Sequence, residues 1–444
     1  LSQLLDASKR VKSLEIEVEK KGDVETRLRE AEEARDRMAE ELFKAEMTRR
    51  QLHNTIQDLK GNIRVAIRVR PNIAEDASAS AAAAAATSAV KCGVDGRRIV
   101  LEAPAASRKK GGHPGATSGS SRKYAFEFDN VFGPATTQSD VFSEVSQLVQ
   151  SALDGYHVCL FSYGQTGSGK TYTMQGGSGD DAGLIPRSVD KILQVVEAMR
   201  STGWNYTLRA SMLEIYNENI RDLLADPKAS AAAASAASSS TAFSASSSSS
   251  TAASQSLPIH EGKDGSIDVP GLTRVGVKSM SDVDEVLRRC RRRRAVASTD
   301  MNEVSSRSHS VFALYLRGEN RAKGVVVNGT LNLCDLAGSE RVARSGAKGA
   351  RMKEAQNINK SLSCLADVFA ALQGPKRGHV PFRNSKLTRL LQPCFQGDGK
   401  TLMLVNLSPT FASAPESLCS LRFASTVSQV HLGQAKRKVA SIED

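Results

Sequence analysis

The 444-residue chain has little of what marks a secreted or membrane-spanning protein. Its 7 cysteines contain no Cys-x-x-Cys pair and no Cys/His spacing suited to zinc, which argues against a disulfide framework and a zinc module. Reduced, mostly buried thiols are expected, with Cys290, Cys334 and Cys364 as core fillers. No apolar run is long enough to cross a bilayer, and no secretory or lipidation motif appears, so no membrane span is predicted and the cytosol is the default compartment. A first residue of Leu1 rather than Met predicts a piece of a longer protein. Between Leu4 and Leu59 there is no proline and a single glycine.

That proline-free stretch is rich in Glu, Lys, Arg, Ala and Leu. Val24, Leu28, Ala31, Met38, Leu42, Ala45, Leu52, Ile56 and Leu59 fall on alternating three- and four-residue spacings, the seam of a two-stranded coiled coil. Arg35 and Arg49 interrupt the seam. Leu4, Ala7, Val11, Leu14 and Val18 follow another register, with the break near Lys21-Gly22-Asp23. Residues 1–60 are therefore read as a neck helix that pairs with a second chain, identical or related, and the pairing in this stretch alone is expected to be weak. The competing reading is an amphipathic helix lying on its own domain.

The net charge of +12 is unevenly spread: residues 1–60 are nearly balanced, so the excess belongs to the remainder. Such a domain suits an acidic partner, and sign alone does not choose among nucleic acid, an anionic membrane and an acidic protein. After Gly61 the pattern turns to strands at 63–70, 207–213, 311–316 and 330–334, alternating with helical segments at 138–153, 281–294 and 356–372. This predicts an α/β domain over 61–438, a mostly parallel central sheet flanked by helices. Low-complexity inserts interrupt it at about 77–89, 103–122 and 228–256, with too little apolar surface to offset chain entropy. Residues 439–444 are left as a tail.

The chemistry begins at Gly164-Gln165-Thr166-Gly167-Ser168-Gly169-Lys170-Thr171, a complete G-x-x-x-x-G-K-[ST] phosphate loop. It follows the apolar strand 158–161 and can open a helix, so backbone N–H groups converge on phosphate oxygens at a helix N-terminus. Lys170 is expected on the β- and γ-phosphates and the Thr171 hydroxyl on Mg²⁺. Two further motifs, Asn302-Glu303-Val304-Ser305-Ser306-Arg307-Ser308-His309 and Asp335-Leu336-Ala337-Gly338-Ser339-Glu340, supply hydroxyls, a guanidinium, a carboxylate ending a strand, and a backbone N–H able to sense a γ-phosphate.

With these motifs in this order, the chain resembles the motor domain of the kinesins, from about Gly61 to about Lys438. Arg68-Val69-Arg70-Pro71, Tyr163 to Gly176, Leu213 to Glu218 and Gln356 to Leu362 carry the resemblance further. It implies ATP, with adenine between the Arg68, Arg70 and Pro71 segment and the Tyr172 ring, and Asn302 beside the nucleotide. It implies that Ser306 joins Thr171 at Mg²⁺, that Asp335 holds the ion through water, and that Arg307 and Glu340 bridge to close two switch loops. Hydrolysis is then expected through water activated in the Ser305/Glu340 network, with Gly338 sensing the phosphate.

The resemblance also names acidic tubulin, rather than nucleic acid, as the partner of the basic surface. Arg344, Lys348, Arg351, Lys353, Lys360, His379, Arg383, Lys386 and Arg389 are the expected microtubule contacts, the last three Arg/Lys residues sharing one helical face at three-residue spacing. A helix preceding the motor, joined at Asp58 to Asn62, is similar to the C-terminal-motor kinesins (kinesin-14), which implies minus-end-directed movement and a cytoplasmic location on microtubules, spindle included. Gly61 is a candidate hinge. The alternatives are a nucleotide-gated microtubule crosslinker that does not step and a nucleic-acid-dependent ATPase.

Overall fold

The computed structural model describes residues 2–73, 88–104, 121–225, 256–262, 266–297, 306–341, 350–373, 378–396, 399–430, 432, 435 and 437–441. Helix α1 (Ser2–Leu59) runs unbroken for 58 residues, through Gly22, because one glycine costs a helix only about 1 kcal/mol. Gly61 then takes φ +96°, a left-handed turn that a side chain would resist, and releases the chain into β1 (Ile63–Val69).

In chain order there follow β2 (Val90–Cys92), β3 (Arg98–Pro104), β4 (Ser121–Glu127), β5 (Asn130–Phe132), α2 (Gln138–Leu153), β6 (His157–Tyr163), α3 (Lys170–Met174), α4 (Leu184–Arg200), β7 (Asn205–Tyr216), β8 (Asn219–Asp222), β9 (His260–Glu261), β10 (Ile267–Asp268) and β11 (Val275–Gly276). Then come α5 (Met280–Ala297), β12 (His309–Asn320), β13 (Val325–Asp335), α6 (Ala350–Leu372), α7 (Lys386–Phe395), β14 (Gly399–Leu407), α8 (Ala414–Ser428) and β15 (Val439–Ser441).

The main sheet has the order β11-β7-β12-β13-β6-β14-β1-β5, with β8 added to β7 and β15 to β13. Strands β13, β6, β14, β1 and β5 are mutually parallel, while β12 runs antiparallel to β13 and β7 antiparallel to β12. Side chains alternate between two cores. Val65, Ile67, Cys159 and Phe161 face α6, α7 and α8, whereas Ala66, Val158 and Leu160 face α2, α4 and α5. The expected α/β architecture is therefore present, and the two layers of helices occupy opposite sides of the sheet.

Two expected boundaries move. Antiparallel pairing of β3 with β4 carries the hairpin out to Pro104 and Ser121, so the ends of the 103–122 insert are strand. Ala89 is buried, donating its N–H to the Pro409 carbonyl at 2.8 Å, and Ser256 accepts from the Ile220 N–H at 3.0 Å, so both belong to the folded body. The rest of the three inserts, apart from Ser88, lies outside the described residues. In the expected tail, Val439–Ser441 forms β15 against Val325–Val327.

The base of α1 docks on the body mainly through polar side chains, and farther up Phe43 and Met47 pack against Met199, Trp204 and Val327. Val24, Leu28, Met38, Leu42, Leu52, Ile56 and Leu59, the seam residues, are all exposed, while Arg50, Asn54 and Gln57 are buried. Arg49, placed in the seam by the heptad reading, instead pairs with Glu46 at 2.7 Å and reaches Asp154 at 3.4 Å. The Arg50 guanidinium lies 4.4 Å from the centroid of the Trp204 ring, bonds Glu46 at 2.8 Å and Tyr206 Oη at 3.2 Å, and stands 3.6 Å from Asp154. Asn54 donates to Asp154 Oδ2 at 2.9 Å and accepts from Lys400 Nζ at 2.8 Å. The Asp154 carbonyl accepts from Arg437 Nε at 2.6 Å, and the neighbouring Gly155 carbonyl accepts from the Lys438 N–H at 3.0 Å.

Candidate functional site: a phosphate loop between two switch segments

The loop sits where β6 ends in the middle of the parallel block, at the carboxyl ends of strands, the usual crevice of open α/β sheets. Gly164 adopts φ +148°, and a Cβ there would collide with the Asn406 carbonyl, so the turn out of β6 demands glycine. Gly169 precedes α3, whose first residue is Lys170. The Lys170 ammonium is buried and donates to the Gly164 and Gln165 carbonyls, both at 2.9 Å. Burial lowers its pKa, opposed by the fields of Asp335 and Glu340. A cation in so dry a place favours a polyanionic ligand.

Asp335 ends β13 beside the loop. Its Oδ2 accepts from the Thr171 hydroxyl at 2.7 Å and its Oδ1 from Ser162 at 3.3 Å. Burial pushes its carboxyl up, resisted by the Thr171 bond and by the Lys170 and Arg294 charges. Among the described residues no cluster of three or more Asp, Glu, His or Cys could hold a metal ion. A divalent cation here would rely on the Thr171 and Ser306 hydroxyls, on Asp335 and on phosphate oxygens, a hard-oxygen set that suits Mg²⁺.

Ser306 and Gly338 lie together, the Gly338 N–H donating to the Ser306 carbonyl at 2.9 Å. A Cβ on Gly338 would strike the Glu340 carboxylate and the Thr166 hydroxyl, so this position too is closed to side chains. The expected Arg307–Glu340 bridge is not formed. Glu340 accepts from the Thr166 N–H at 2.9 Å and from its hydroxyl at 2.6 Å, which occupies both carboxylate oxygens. Arg307 has turned to Glu354 on α6 at 2.6 Å, and that carboxylate also accepts from the Tyr216 hydroxyl at 3.0 Å. The two halves of the latch are separately held, Glu340 by the phosphate loop and Arg307 by α6. Ser305 and Asn302 lie outside the described residues.

Around the expected adenine position, Tyr172 and Pro71 are exposed. Arg68 is buried beneath, donating to Gln138 at 2.8 Å and to Thr173 at 2.9 Å, with its guanidinium 5.4 Å from the Tyr172 ring centroid. It supports the ring from below. Arg70 braces the loop by donating to the Gly167 carbonyl at 2.8 Å. Thr166 and Gln165 are half-buried, Gly167 is exposed and Ser168 is buried.

Sequence reasoning gave no role to His309, which the fold puts at the centre. The Ala337 N–H donates to its Nδ1 at 3.1 Å, which fixes the tautomer so that Nε2–H donates to Ser361 Oγ at 2.7 Å. Burial, then the Lys170 charge, pushes its pKa down to about 3. The neutral ring thus links the Asp335–Glu340 segment to α6. Glu354 was missed as well, its only signal being helical spacing from the Gln356 block.

Lys353, Lys360, His379 and Arg383 are exposed, Lys386 and Arg389 half-buried, and Arg351 falls in α6; Arg344 and Lys348 lie outside the described residues. Arg383, Lys386 and Arg389 do not share one helix. Ser385 caps α7, its hydroxyl accepting from the Thr388 N–H at 3.1 Å, which leaves Arg383 in a preceding 3₁₀ turn, bonded to Glu261 at 2.9 Å. The cap wins because it satisfies an otherwise orphaned helix N–H.

Residues 68–430 match the family described as Kinesin motor domain. The chain is 46% identical over 418 residues to Kinesin-like protein KIN-14N of Oryza sativa subsp. japonica, covering 94% of this chain and 48% of that protein. It is 44% identical over 417 residues to Kinesin-like protein 2 of Schizosaccharomyces pombe, covering 94% and 47%. It spans about half the length of the curated relatives it matches. Among solved structures it is similar to the C-terminal motor and motor homology domain of Kar3Vik1 fused to a synthetic heterodimeric coiled coil, with TM-score 0.73, 36% identity, and 95% and 98% coverage. A structure described as that of a fast kinesin gives TM-score 0.69 at 34% identity, covering 85% and 94%.

Proposed function

The chain belongs to the kinesin motor family, and from that premise we propose that it hydrolyses ATP under stimulation by microtubules and moves along them toward the minus end. The observation that supports the reading is the grouping of Lys170, Thr171, Asp335, Gly338 and Glu340 at the phosphate loop, with Glu340 held by Thr166 and Arg307 by Glu354. The partners each latch residue now has, together with the Arg307–Glu340 pairing proposed for the closed site, would make a bistable element that a ligand bridging the loops can bias.

In this reading the loop amides and Lys170 orient the triphosphate and offset its charge. The hydroxyls of Thr171 and Ser306, with Asp335 through water, would hold Mg²⁺, which when bound neutralises charge between the phosphates. Release of Glu340 from Thr166 frees it to meet Arg307, and Ser305 with Glu340 orients the attacking water. The Gly338 N–H, now on the Ser306 carbonyl, is free to turn to the γ-phosphate once the loops close. Catalysis by such a site is positioning and electrostatics, without a lone tuned base.

Microtubules are the proposed partner, through α6, α7 and the turn before α7. The exposed seam of α1 is the proposed site of pairing with an identical or related chain, weak over this stretch. Direction rests on the helix preceding the motor, on Gly61 at its base, and on the family's C-terminal motors. The proposed location is the cytoplasm, on microtubules and the spindle. ATP turnover measured with microtubules, with DNA and with neither, followed by gliding of polarity-marked microtubules, tests all of this. Stimulation by DNA, or microtubule-stimulated turnover without gliding, would refute it.

A further inference from the structure

Helix α5 changes character halfway along its solvent side. Val283, Val286, Leu287 and Cys290 enter the core shared with α2 and α4. Its first half carries Asp282, Asp284 and Glu285, and its second half reads Arg288, Arg289, Arg291, Arg292, Arg293, Arg294. The last two work internally. Arg293 donates to the Asp222 and Ala225 carbonyls, and Arg294 to Ser308 Oγ at 3.3 Å, with Glu214 at 3.5 Å.

The other four point outward and are exposed. Among the described residues, the carboxylate paired with them is Glu285, accepting from Arg289 Nε at 2.9 Å and from Arg288. Among the described residues no carboxylate forms an ion pair with Arg291 or Arg292. Two ordinary explanations fall short. The helix dipole rewards cations only within the last turn, and Arg288 and Arg289 lie more than two turns before Ala297. Support from i,i+3 and i,i+4 pairing accounts for Arg288 and Arg289 and not for Arg291 or Arg292.

The stripe sits on the opposite side of the sheet from α6 and α7, because α5 packs in one core and α6 and α7 in the other. A head standing on a filament through α6 and α7 therefore turns α5 away from it. We propose that the outward arginines of α5 dock an unstructured acidic polypeptide segment of a partner other than the filament beneath the head; only the exclusion of the filament rests on the microtubule reading above. Guanidinium groups pair strongly with carboxylates, and on this same surface the Glu285 carboxylate already engages two of them, Arg288 at one oxygen and Arg289 at the other. Helix α5 contains no aromatic residue, so the stripe lacks the stacking platform that holds single-stranded nucleic acid.

The test uses the whole chain and a fluorescent poly-glutamate peptide, read by anisotropy at low salt. The R288Q/R289Q/R291Q/R292Q variant should bind the peptide about tenfold more weakly or worse, as expected for four exposed ion pairs of modest strength. Its ATP turnover and circular dichroism should match the parent. Should that variant fail to fold, R291Q/R292Q, which breaks no ion pair within the chain, should still lose about threefold. Unchanged peptide binding overturns the proposal. So does an equal or tighter complex with single-stranded RNA, which would make the surface a nucleic-acid site. So, finally, does an equal loss of microtubule affinity in the variant, which would put the stripe on the filament side. A parent chain that binds the peptide and not microtubules would sink the motor reading while leaving the acidic-segment surface standing.

Discussion

Replacing Arg50 by alanine should loosen the base of α1 from the motor body while leaving the sheet intact. Arg50 is only 1% exposed and lies between Glu46, Asp154, Tyr206 and the face of Trp204. Removing one partner of a buried charge cluster costs about 3–5 kcal/mol, because Asp154 stays buried with less compensation. A desolvated cation–π contact contributes about 2 kcal/mol of that kind of energy. Even 3 kcal/mol lowers the docked-to-released ratio roughly a hundredfold. The chain has one tryptophan, Trp204, 2% exposed, so its emission reports directly on the event. In Arg50→Ala the emission should shift to the red and become open to acrylamide quenching, and amides of residues 51–59 should exchange faster. Arg50→Lys, which keeps the charge and loses the planar fork, should fall between. Emission and exchange identical to the parent would refute the reasoning, since they would mean that Asn54 and Lys400 hold the helix without help.

Lys170→Ala should abolish nucleotide binding, whereas Glu340→Ala should keep binding and lose hydrolysis; ATP turnover at the parent rate in Glu340→Ala would sink the latch. Glu354→Gln removes the carboxylate that now holds Arg307, so basal turnover should rise about fivefold from roughly 1 kcal/mol of shifted equilibrium, and an unchanged or lower rate would show that Glu354 does not compete. His309 titrates near 6.5 when unfolded and about 3 when folded, so its contribution is complete above pH 6.5 and is lost as pH falls toward 3, at up to about 1.4 kcal/mol per unit. His309→Gln should flatten that part of the stability profile in urea titrations, and an unaltered slope would contradict a buried neutral ring. Replacing Arg383 and Lys386 by alanine should weaken microtubule affinity and its salt dependence with basal turnover nearly unchanged; equal loss of basal turnover would mean that they hold the fold.

The sequence announced those parts of the molecule whose physics is local. The phosphate loop was legible because its glycines, Lys170 and Thr171 must fall at fixed spacing within eight residues, and β1, α2 and β6 because period and capping fix them within a few residues. What escaped was set by distant partners. Nothing adjacent to Arg307 says that Glu354, 47 residues on, will outcompete Glu340. The role of His309 depends on an N–H from Ala337 and a hydroxyl on α6. The heptad pattern of α1 was read from its other apolar residues, yet the face that docks carries Phe43, Met47, Arg50, Asn54 and Gln57, whose three- and four-residue spacing is hidden because the last three look like solvent positions until Asp154 and Lys400 are brought beneath them. Strand β15 is three residues long, below what any pattern can register.

The meeting of Arg50, Asn54 and Arg437 at Asp154 and its carbonyl ties the base of α1 and the approach to β15 to the same turn. A rigid body fused just after Ser441 would emerge beside the foot of the long helix and act as a wedge against it. The same fusion on a long flexible tether would leave that foot undisturbed. A body attached there by a short linker would thus load the contacts that hold α1, and one on a long linker would leave them as they are.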